Sequence, residues 1–213
     1  MACRFEDGET KGVETLIEAI GQMSEHKDVQ IVLCDALEPD DSASARHEKL
    51  AELITNQGLE GRVHFARVTY RNMPSAMRSA DVVVVPSTIA EGGWAQTMIE
   101  AMASGKPVIS TGSPDPTRTF GGQDEAIRLA YGERAQDVIA EPGSPTDLAS
   151  KMSNLLNNSE LQQDLTERGL AATRGTMSWE TSMDGIELLY GSVGMDISPR
   201  QERSQPQTAS LSI

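Results

Sequence analysis

The chain has 213 residues, a length that suits one α/β domain followed by a tail. Its 18 basic and 32 acidic residues give a formal net charge of -14, which argues against nucleic acid or an anionic membrane as a partner. A small anionic ligand is not excluded, because it needs only a local cluster of helix N–H groups and basic side chains. No apolar run approaches the roughly 18 residues that cross a bilayer, and residues 1–7 lack a signal-peptide core, so we expect a cytoplasmic protein.

The first third of the chain predicts alternating helices and strands. Apolar residues at i, i+3, i+4 and i+7 predict an amphipathic helix that begins at Val13, just after Lys11 and a glycine. Further along, β-branched runs predict strands, and apolar residues at helical spacing predict helices. The predicted elements of this part are a helix at 13–23, a strand at 29–33, a helix at 45–57, a strand at 62–68 and a short helix at 73–81.

The middle of the chain predicts a strand, a helix and a second strand. Residues 82–85 are four consecutive valines, which is typical of a strand buried on both faces of a parallel sheet, and Pro86 ends it. Residues 94–104 are helix formers, and Gly105 and Pro107 stand where a helix stops. The next strand is predicted at 108–110. Two parallel strands joined by a helix place the first connecting loop at the carboxyl edge of the sheet, where open α/β folds bind ligands.

The loop before this helix has the composition of an anion site. Gly92 and Gly93 would let a ligand approach bare backbone N–H groups, and a helix start carries about half a positive charge. Glu100 lies about two turns further along the helix, where its carboxylate could accept hydrogen bonds from sugar hydroxyls. Glycine for turn geometry and a solvated helical glutamate remain the alternative interpretation.

The last part of the chain predicts a long loop, further helices and a tail. Pro and Gly punctuate a loop at 113–123. Helices are expected at 145–157, 161–173 and 178–190. We therefore predict an α/β fold with a single Rossmann-like parallel sheet and helices on both faces. The domain would span 1–190, and residues 191–213, rich in Ser, Gln and Pro, would form a disordered tail.

The central stretch resembles the donor-nucleotide signature of family 4 glycosyltransferases of the GT-B fold (glycosyl transferases group 1), whose ending EAMA-x-G-x-PV stands here as EAMASGKPV. Weaker words of the same family follow in the right order, from KG before the first helix through RVHFARV and DVIAEPG to SWE near the end. The resemblance covers about residues 4–190. It implies that the chain is the C-terminal, donor-binding half of a GT-B fold.

The resemblance also implies roles for individual residues. Arg4 and Lys11 match the basic pair that contacts the donor diphosphate, and Glu100 matches the acid that holds the ribose. Arg67 stands where the family has a glycine near the nucleobase. The implied nucleotide-sugar ligands are Arg4, Lys11, Arg67, Gly92, Gly93, Trp94, Ala95, Thr97 and Glu100.

The implied catalytic acid is Glu91, but its spacing differs from the family pattern. The family has seven residues between its two acids, whereas eight separate Glu91 from Glu100, so that the expected position falls on Gly92. Either the Gly92 and Gly93 pair forms a bulge that returns Glu91 to the site, or the contact with the donor sugar is lost. The sequence leaves both open.

Two hypotheses for function follow. The first is the nucleotide-sugar-binding half of a retaining glycosyltransferase, which would move a hexose from a UDP or GDP donor without a metal or other cofactor. The second is a non-catalytic nucleotide-binding or interaction module derived from that domain. Because an acceptor domain would be needed, a partner chain or self-association is expected through an apolar strip that includes Ile186, Leu188 and Leu189.

Overall fold

The computed structural model describes residues 11–35, 41–88, 95–112 and 122–192, and it consists of parallel strands that alternate with helices. The strands are β1 (Ile31–Asp35), β2 (Val63–Arg67), β3 (Val83–Val85), β4 (Val108–Thr111) and β5 (Ile139–Ala140). The helices are α1 (Val13–Gln22), α2 (Asp41–Asn56), α3 (Met73–Ser79), α4 (Gln96–Ala103), α5 (Gln123–Tyr131), α6 (Pro145–Asn157), α7 (Ser159–Arg174) and α8 (Trp179–Ser192). Two 3₁₀ turns cover Tyr70–Asn72 and Gly132–Asp137.

Every strand pair in the described part of the chain is parallel. β1 pairs with β2, with Ile31 opposite Val63, while β4 lies between β3 and β5, with Val83 opposite Val108. The described strands therefore fall into a two-stranded and a three-stranded group, in the orders β1-β2 and β3-β4-β5. The predicted α/β class with a parallel sheet is confirmed.

The core is aliphatic, with methionine filling its gaps. All three valines of β3 are buried, which confirms the interpretation of the valine run as a strand covered on both faces. α1 buries Val13, Leu16 and Ile17 among others, on the stripe that its periodicity predicts. Full burial of each such side chain contributes about 1.5 to 3 kcal/mol, so this stripe fixes α1 in the core.

β1 begins two residues later than predicted, and a side chain explains why. The guanidinium of Arg62 donates to the carbonyl oxygens of His26 and Val29 at 2.8 and 3.2 Å. The N–H of Val29 in turn donates to the carbonyl of His26 at 3.2 Å. These bonds hold residues 26–29 in a turn, so that the ladder starts only at Ile31.

α8 is the exposed element of the fold. None of its residues is buried, and Leu188 and Leu189 are 76% and 64% exposed. Ile186 and Trp179 are exposed as well, so the apolar strip predicted for this helix is solvent-accessible in the described structure. Among the described helices, none has the length and apolar character needed to cross a membrane.

Candidate functional site

The candidate site lies where β3 ends and α4 begins. The chain leaves β3 at Val85, passes Pro86 and Ser87, and returns through α4 to the parallel strand β4. This confirms the predicted strand–helix–strand unit. Because β3 and β4 are parallel, the start of α4 lies at their carboxyl edge, the usual position of a ligand in open α/β sheets.

Among the described residues, no side chain caps the start of α4. The cap residue is Ala95, which is extended and buried, and its carbonyl accepts hydrogen bonds from the N–H groups of Met98 and Ile99. The helix begins at Gln96, two residues later than predicted, and no acidic residue occupies its first turn. The first amide groups of α4 therefore offer donors and a partial positive charge to an anion.

Glu100 and Thr97 lie on one side of α4. Residues three apart on a helix share a face, and both of these side chains are half-buried. The neighbouring Ala101 and Met102 are fully buried and anchor the opposite side in the core. Within the described part of the chain, the Glu100 carboxylate makes no hydrogen bond or ion pair, so it is available to a ligand that lies along this face.

The backbone places Lys11 at the same edge. Gly12 has a φ of 67°, and a Cβ atom on it would lie 1.8 Å from the carbonyl oxygen of Pro86. Only glycine allows this approach, so the chain just before α1 packs directly against Pro86, the residue that follows β3. Lys11 is half-buried and directly precedes this contact. The predicted basic residue is thus brought to the carboxyl end of β3.

A buried polar cluster, not found from the sequence, lies beneath this edge. The Ser110 hydroxyl donates to Oε1 of Gln123 at 2.9 Å, and the Thr111 hydroxyl donates to the carbonyl of Ser87. All four of these residues are buried. The sequence interpretation assigned Gln123 to a loop, but it is the first residue of α5, so the cluster ties the ends of β3 and β4 to the start of that helix.

The remaining predicted residues are not joined to this group. Arg67 is exposed at the end of β2, with Asp35 as its register partner on β1, and no described contact links it to α4. Arg4 and the stretch from Glu91 to Trp94, which includes Gly92 and Gly93, lie outside the described residues. Their roles stay predictions.

Comparison with known proteins identifies a family. The model of the family described as glycosyl transferases group 1 matches residues 6–171. An uncharacterised glycosyltransferase from Methanocaldococcus jannaschii is 29% identical over 144 residues, which are 68% of this chain and 37% of that protein. The chain therefore spans less than half the length of this curated relative.

Solved structures share the fold. HepE from Anabaena, in complex with UDP, matches with a TM-score of 0.73 and 24% identity, covering 89% of this chain and 47% of that one. The C-terminal domain of a group 1 glycosyl transferase from Francisella tularensis matches with a TM-score of 0.62 and 23% identity. That alignment covers 84% of this chain and 83% of that domain. Since both identities are below 25%, these likenesses show a shared fold.

Proposed function

The chain belongs to the glycosyl transferases group 1 family, and from this premise we propose that it is the donor-binding half of a retaining glycosyltransferase. It binds a nucleoside diphosphate hexose, with UDP or GDP as the nucleotide, and needs no metal. The neighbour from Anabaena has been solved with UDP and with UDP-glucose, which supports this class of donor. Transfer to an acceptor requires a second domain or chain.

The observation that carries the proposal is the meeting of three features at one edge of the sheet. The start of α4, which no described side chain caps, supplies N–H donors. Gly12 holds Lys11 beside the end of β3, and Glu100 lies on the half-buried face of α4. The diphosphate occupies the helix start, where the amides and the ammonium group meet its charge. This arrangement stabilises the negative charge that grows on the leaving nucleotide as the bond to the sugar breaks.

The nucleotide's orientation follows from α4. Glu100 lies five residues beyond Ala95, which places it about 7.5 Å along the helix axis at 1.5 Å per residue. A diphosphate at the helix start therefore brings the adjoining ribose over Glu100, whose carboxylate accepts hydrogen bonds from the ribose hydroxyls. A charge-assisted hydrogen bond of this kind contributes about 1.5 to 3 kcal/mol.

The acceptor side is supplied by another surface. A single half provides phosphate and ribose contacts, but orientation of an acceptor and exclusion of water need a closed cleft. The exposed strip of α8, with Leu188 and Leu189, offers the surface on which an acceptor domain docks. Glu91 contacts the donor sugar in this proposal, and its spacing from Glu100 determines whether transfer takes place.

Calorimetric titration with UDP and GDP tests nucleotide binding. We expect weak binding of one of them by the chain, and a roughly ten- to hundredfold loss of affinity in Glu100→Gln with an unchanged melting temperature. The matched control is Glu52→Gln, an exposed carboxylate on α2, which should leave affinity unchanged. Equal affinity of Glu100→Gln and the parent chain would remove Glu100 from the site.

A second assay separates the enzyme half from a non-catalytic module. Nucleotide release from UDP- and GDP-hexoses is measured for the chain alone and after addition of a separately expressed acceptor domain. We expect turnover only with both parts present. Nucleotide binding without turnover in the assembled enzyme would favour a non-catalytic nucleotide-binding module, and absence of any nucleotide binding would favour an interaction module.

A further inference from the structure

The side-chain amide of Gln123 has one satisfied and one unsatisfied polar atom. Gln123 is 4% exposed, and its Oε1 accepts a hydrogen bond from the Ser110 hydroxyl at 2.9 Å. Its Nε2 is buried as well, but among the described residues it has no hydrogen-bond partner. A buried N–H group without an acceptor is destabilising, because it has given up its bonds to water and gained none. A ligand that brings an acceptor to Nε2 would therefore gain this bond.

Gln123 lies at the same edge of the sheet as the start of α4. Its partner Ser110 belongs to β4 and stands directly opposite Val85, the last residue of β3. The Ser110 hydroxyl is 3.4 Å from the carbonyl oxygen of Val85, so the Gln123 amide lies at the carboxyl ends of β3 and β4. The chain reaches Ala95, where α4 begins, from the end of the same β3. The Gln123 amide and the start of α4 thus border one edge.

The start of α5 favours a neutral ligand that carries hydroxyl groups. Gln123 is the first residue of α5, and Asp124 and Glu125 follow it in the first turn. These two carboxylates oppose binding of an anion there, in contrast to the first turn of α4, which has no acidic residue. A hydroxyl group matches this set, because its oxygen accepts a hydrogen bond from Nε2 and its hydrogen donates to a carboxylate. Asp124 keeps acceptor capacity, since the Arg128 guanidinium is 3.8 Å away.

We propose that Nε2 of Gln123 binds a hydroxyl group of the donor hexose and thereby distinguishes between donor sugars. This inference rests on the proposed function, in which the diphosphate occupies the start of α4 and the attached hexose lies further along the same edge. The bond from Ser110 to Oε1 holds the amide with Nε2 available to the sugar. A hexose whose hydroxyl has the opposite configuration leaves Nε2 without an acceptor, which is the physical basis of the discrimination.

The contact requires a local adjustment, because Nε2 is closed to solvent in the structure. A ligand shifts a conformational equilibrium by its difference in affinity for the two states. The hydrogen bond to Nε2 is made only in the adjusted state, so it favours that state when a sugar is attached to the nucleotide. A nucleotide without a sugar lacks this bond and leaves the start of α5 as it is.

Gln123→Met tests this contact, because methionine has a similar volume and no N–H donor. Calorimetric titrations compare UDP and GDP with UDP-glucose, UDP-galactose and GDP-mannose. For the sugar nucleotide that the parent chain binds best, we expect a roughly two- to tenfold loss of affinity in Gln123→Met. The affinity for the corresponding nucleotide without sugar should stay the same.

Gln162→Met is the matched control, because the amide that it removes is fully used inside the protein. Nε2 of Gln162, on α7, donates to the carbonyl oxygens of Leu155 and Leu156 at 2.8 and 3.3 Å. Its replacement should lower the melting temperature and change neither affinity.

The two titration series separate failure of this inference from failure of the proposed function. Equal losses for nucleotide and sugar nucleotide in folded Gln123→Met, or no loss for either, would overturn the role of Gln123 and leave the nucleotide site intact. A parent chain that binds UDP or GDP but none of the sugar nucleotides would do the same. A parent chain that binds neither UDP nor GDP would overturn both.

A measurement on the parent chain decides if Gln123→Met does not fold. The side-chain amide resonances of Gln123 are followed in heteronuclear NMR spectra during the same titrations. We expect them to shift with the sugar nucleotide that binds best and to stay in place with the corresponding UDP or GDP. Shifts of equal size with both ligands, or no shift with either, would overturn the proposal.

Discussion

The hydroxyl of Tyr131 accepts a hydrogen bond from the backbone N–H of Val108 at 3.0 Å, in the interior of the protein. Tyr131 is the last residue of α5, and Val108 is the first of β4. Burial raises the pKa of the Tyr131 hydroxyl well above its ordinary value, so the group stays neutral at all physiological pH values. The Tyr131 hydroxyl thereby provides the hydrogen-bond acceptor for the buried amide at the start of β4.

Tyr131→Phe should therefore destabilise the protein although it removes only one oxygen atom. The buried N–H of Val108 is left without an acceptor, which costs about 1 to 3 kcal/mol and lowers the melting temperature by roughly 2 to 12 °C. Thermal unfolding followed by circular dichroism measures the change. Tyr190→Phe, on the exposed α8, is the control and should change stability by less than about 0.5 kcal/mol. Equal melting temperatures for both variants would contradict the assigned role of Tyr131.

The contact of Gly12 with Pro86 predicts that Gly12→Ala has larger effects on stability and nucleotide affinity than Gly58→Ala. Gly12 and Gly58 both have positive φ values, 67° and 66°, but only Gly12 has atoms within reach of an added Cβ. Alanine at either position costs about 1 to 2 kcal/mol for the left-handed backbone. Gly12→Ala must in addition move the chain away from Pro86, and Lys11 with it, so we expect an extra loss of stability and at least a tenfold loss of nucleotide affinity.

Gly58→Ala is thus the control for backbone strain without displacement of the site. Calorimetric titration of both folded variants gives the comparison. Equal nucleotide affinities in the two would show that the close approach of Gly12 does not position Lys11 for binding.

The exposed strip on α8 predicts association. Leu188→Ser removes an apolar side chain that is 76% exposed, so it should reduce self-association or acceptor-domain binding without loss of stability. Leu129→Ser on α5 is the matched control, since Leu129 is 47% exposed and lies away from the strip. Sedimentation velocity at several protein concentrations compares them. A parent chain that stays monomeric and binds no acceptor domain would rule out this interface.

Asp164 predicts a pH dependence of stability. Its carboxylate accepts hydrogen bonds from Arg168 at 2.8 Å and Arg134 at 3.2 Å, and the hydrogen bond from Arg168 is the main cause of a lowered pKa. Because the folded pKa lies below the unfolded one, the stabilisation is complete above pH values near 4 and is lost as the pH falls through the folded pKa.

We therefore expect Asp164→Asn to lower the melting temperature at neutral pH, with a difference from the parent chain that narrows as the pH falls below about 4. Differential scanning calorimetry between pH 3 and 7 measures this difference. Asp184→Asn, on the exposed α8, is the reference for removal of a solvated carboxylate. A difference in melting temperature that stays constant between pH 3 and 7 would contradict the stabilising role of the Asp164 ion pairs.

The sequence predicts those parts of the fold whose signals are local. The valine run gives β3 as a buried strand, and Gly105, with a φ of 75°, follows α4 as a helix stop signal should. The family words also lead correctly to the group 1 domain, whereas the roles of Lys11 and Glu100 in nucleotide binding stay predictions. The cytoplasmic location, the tail and independence of metal ions stay predictions.

The features that the sequence did not reveal depend on partners distant in the chain. Arg62 stabilises the turn before β1 by hydrogen bonds to carbonyl groups 33 and 36 positions away. Periodicity in the sequence does not predict such long-range hydrogen bonds. The burial of Gln123 likewise depends on Ser110, which comes from a different element. A glutamine in a stretch rich in Pro and Gly has the composition of a loop, and only its tertiary contact makes it the start of a helix.

The packing of α1 against α6 makes completion of the core a late event during synthesis. These helices are among the most closely associated elements of the structure, and the Thr146 hydroxyl donates to Oε1 of Gln22, 124 positions earlier, at 2.9 Å. At 5 to 20 residues per second, a ribosome needs roughly 6 to 25 s to make the intervening chain. During that interval the apolar stripe of α1 has no α6 to cover it, so the nascent chain is a candidate for chaperone binding until Asn157 has left the exit tunnel.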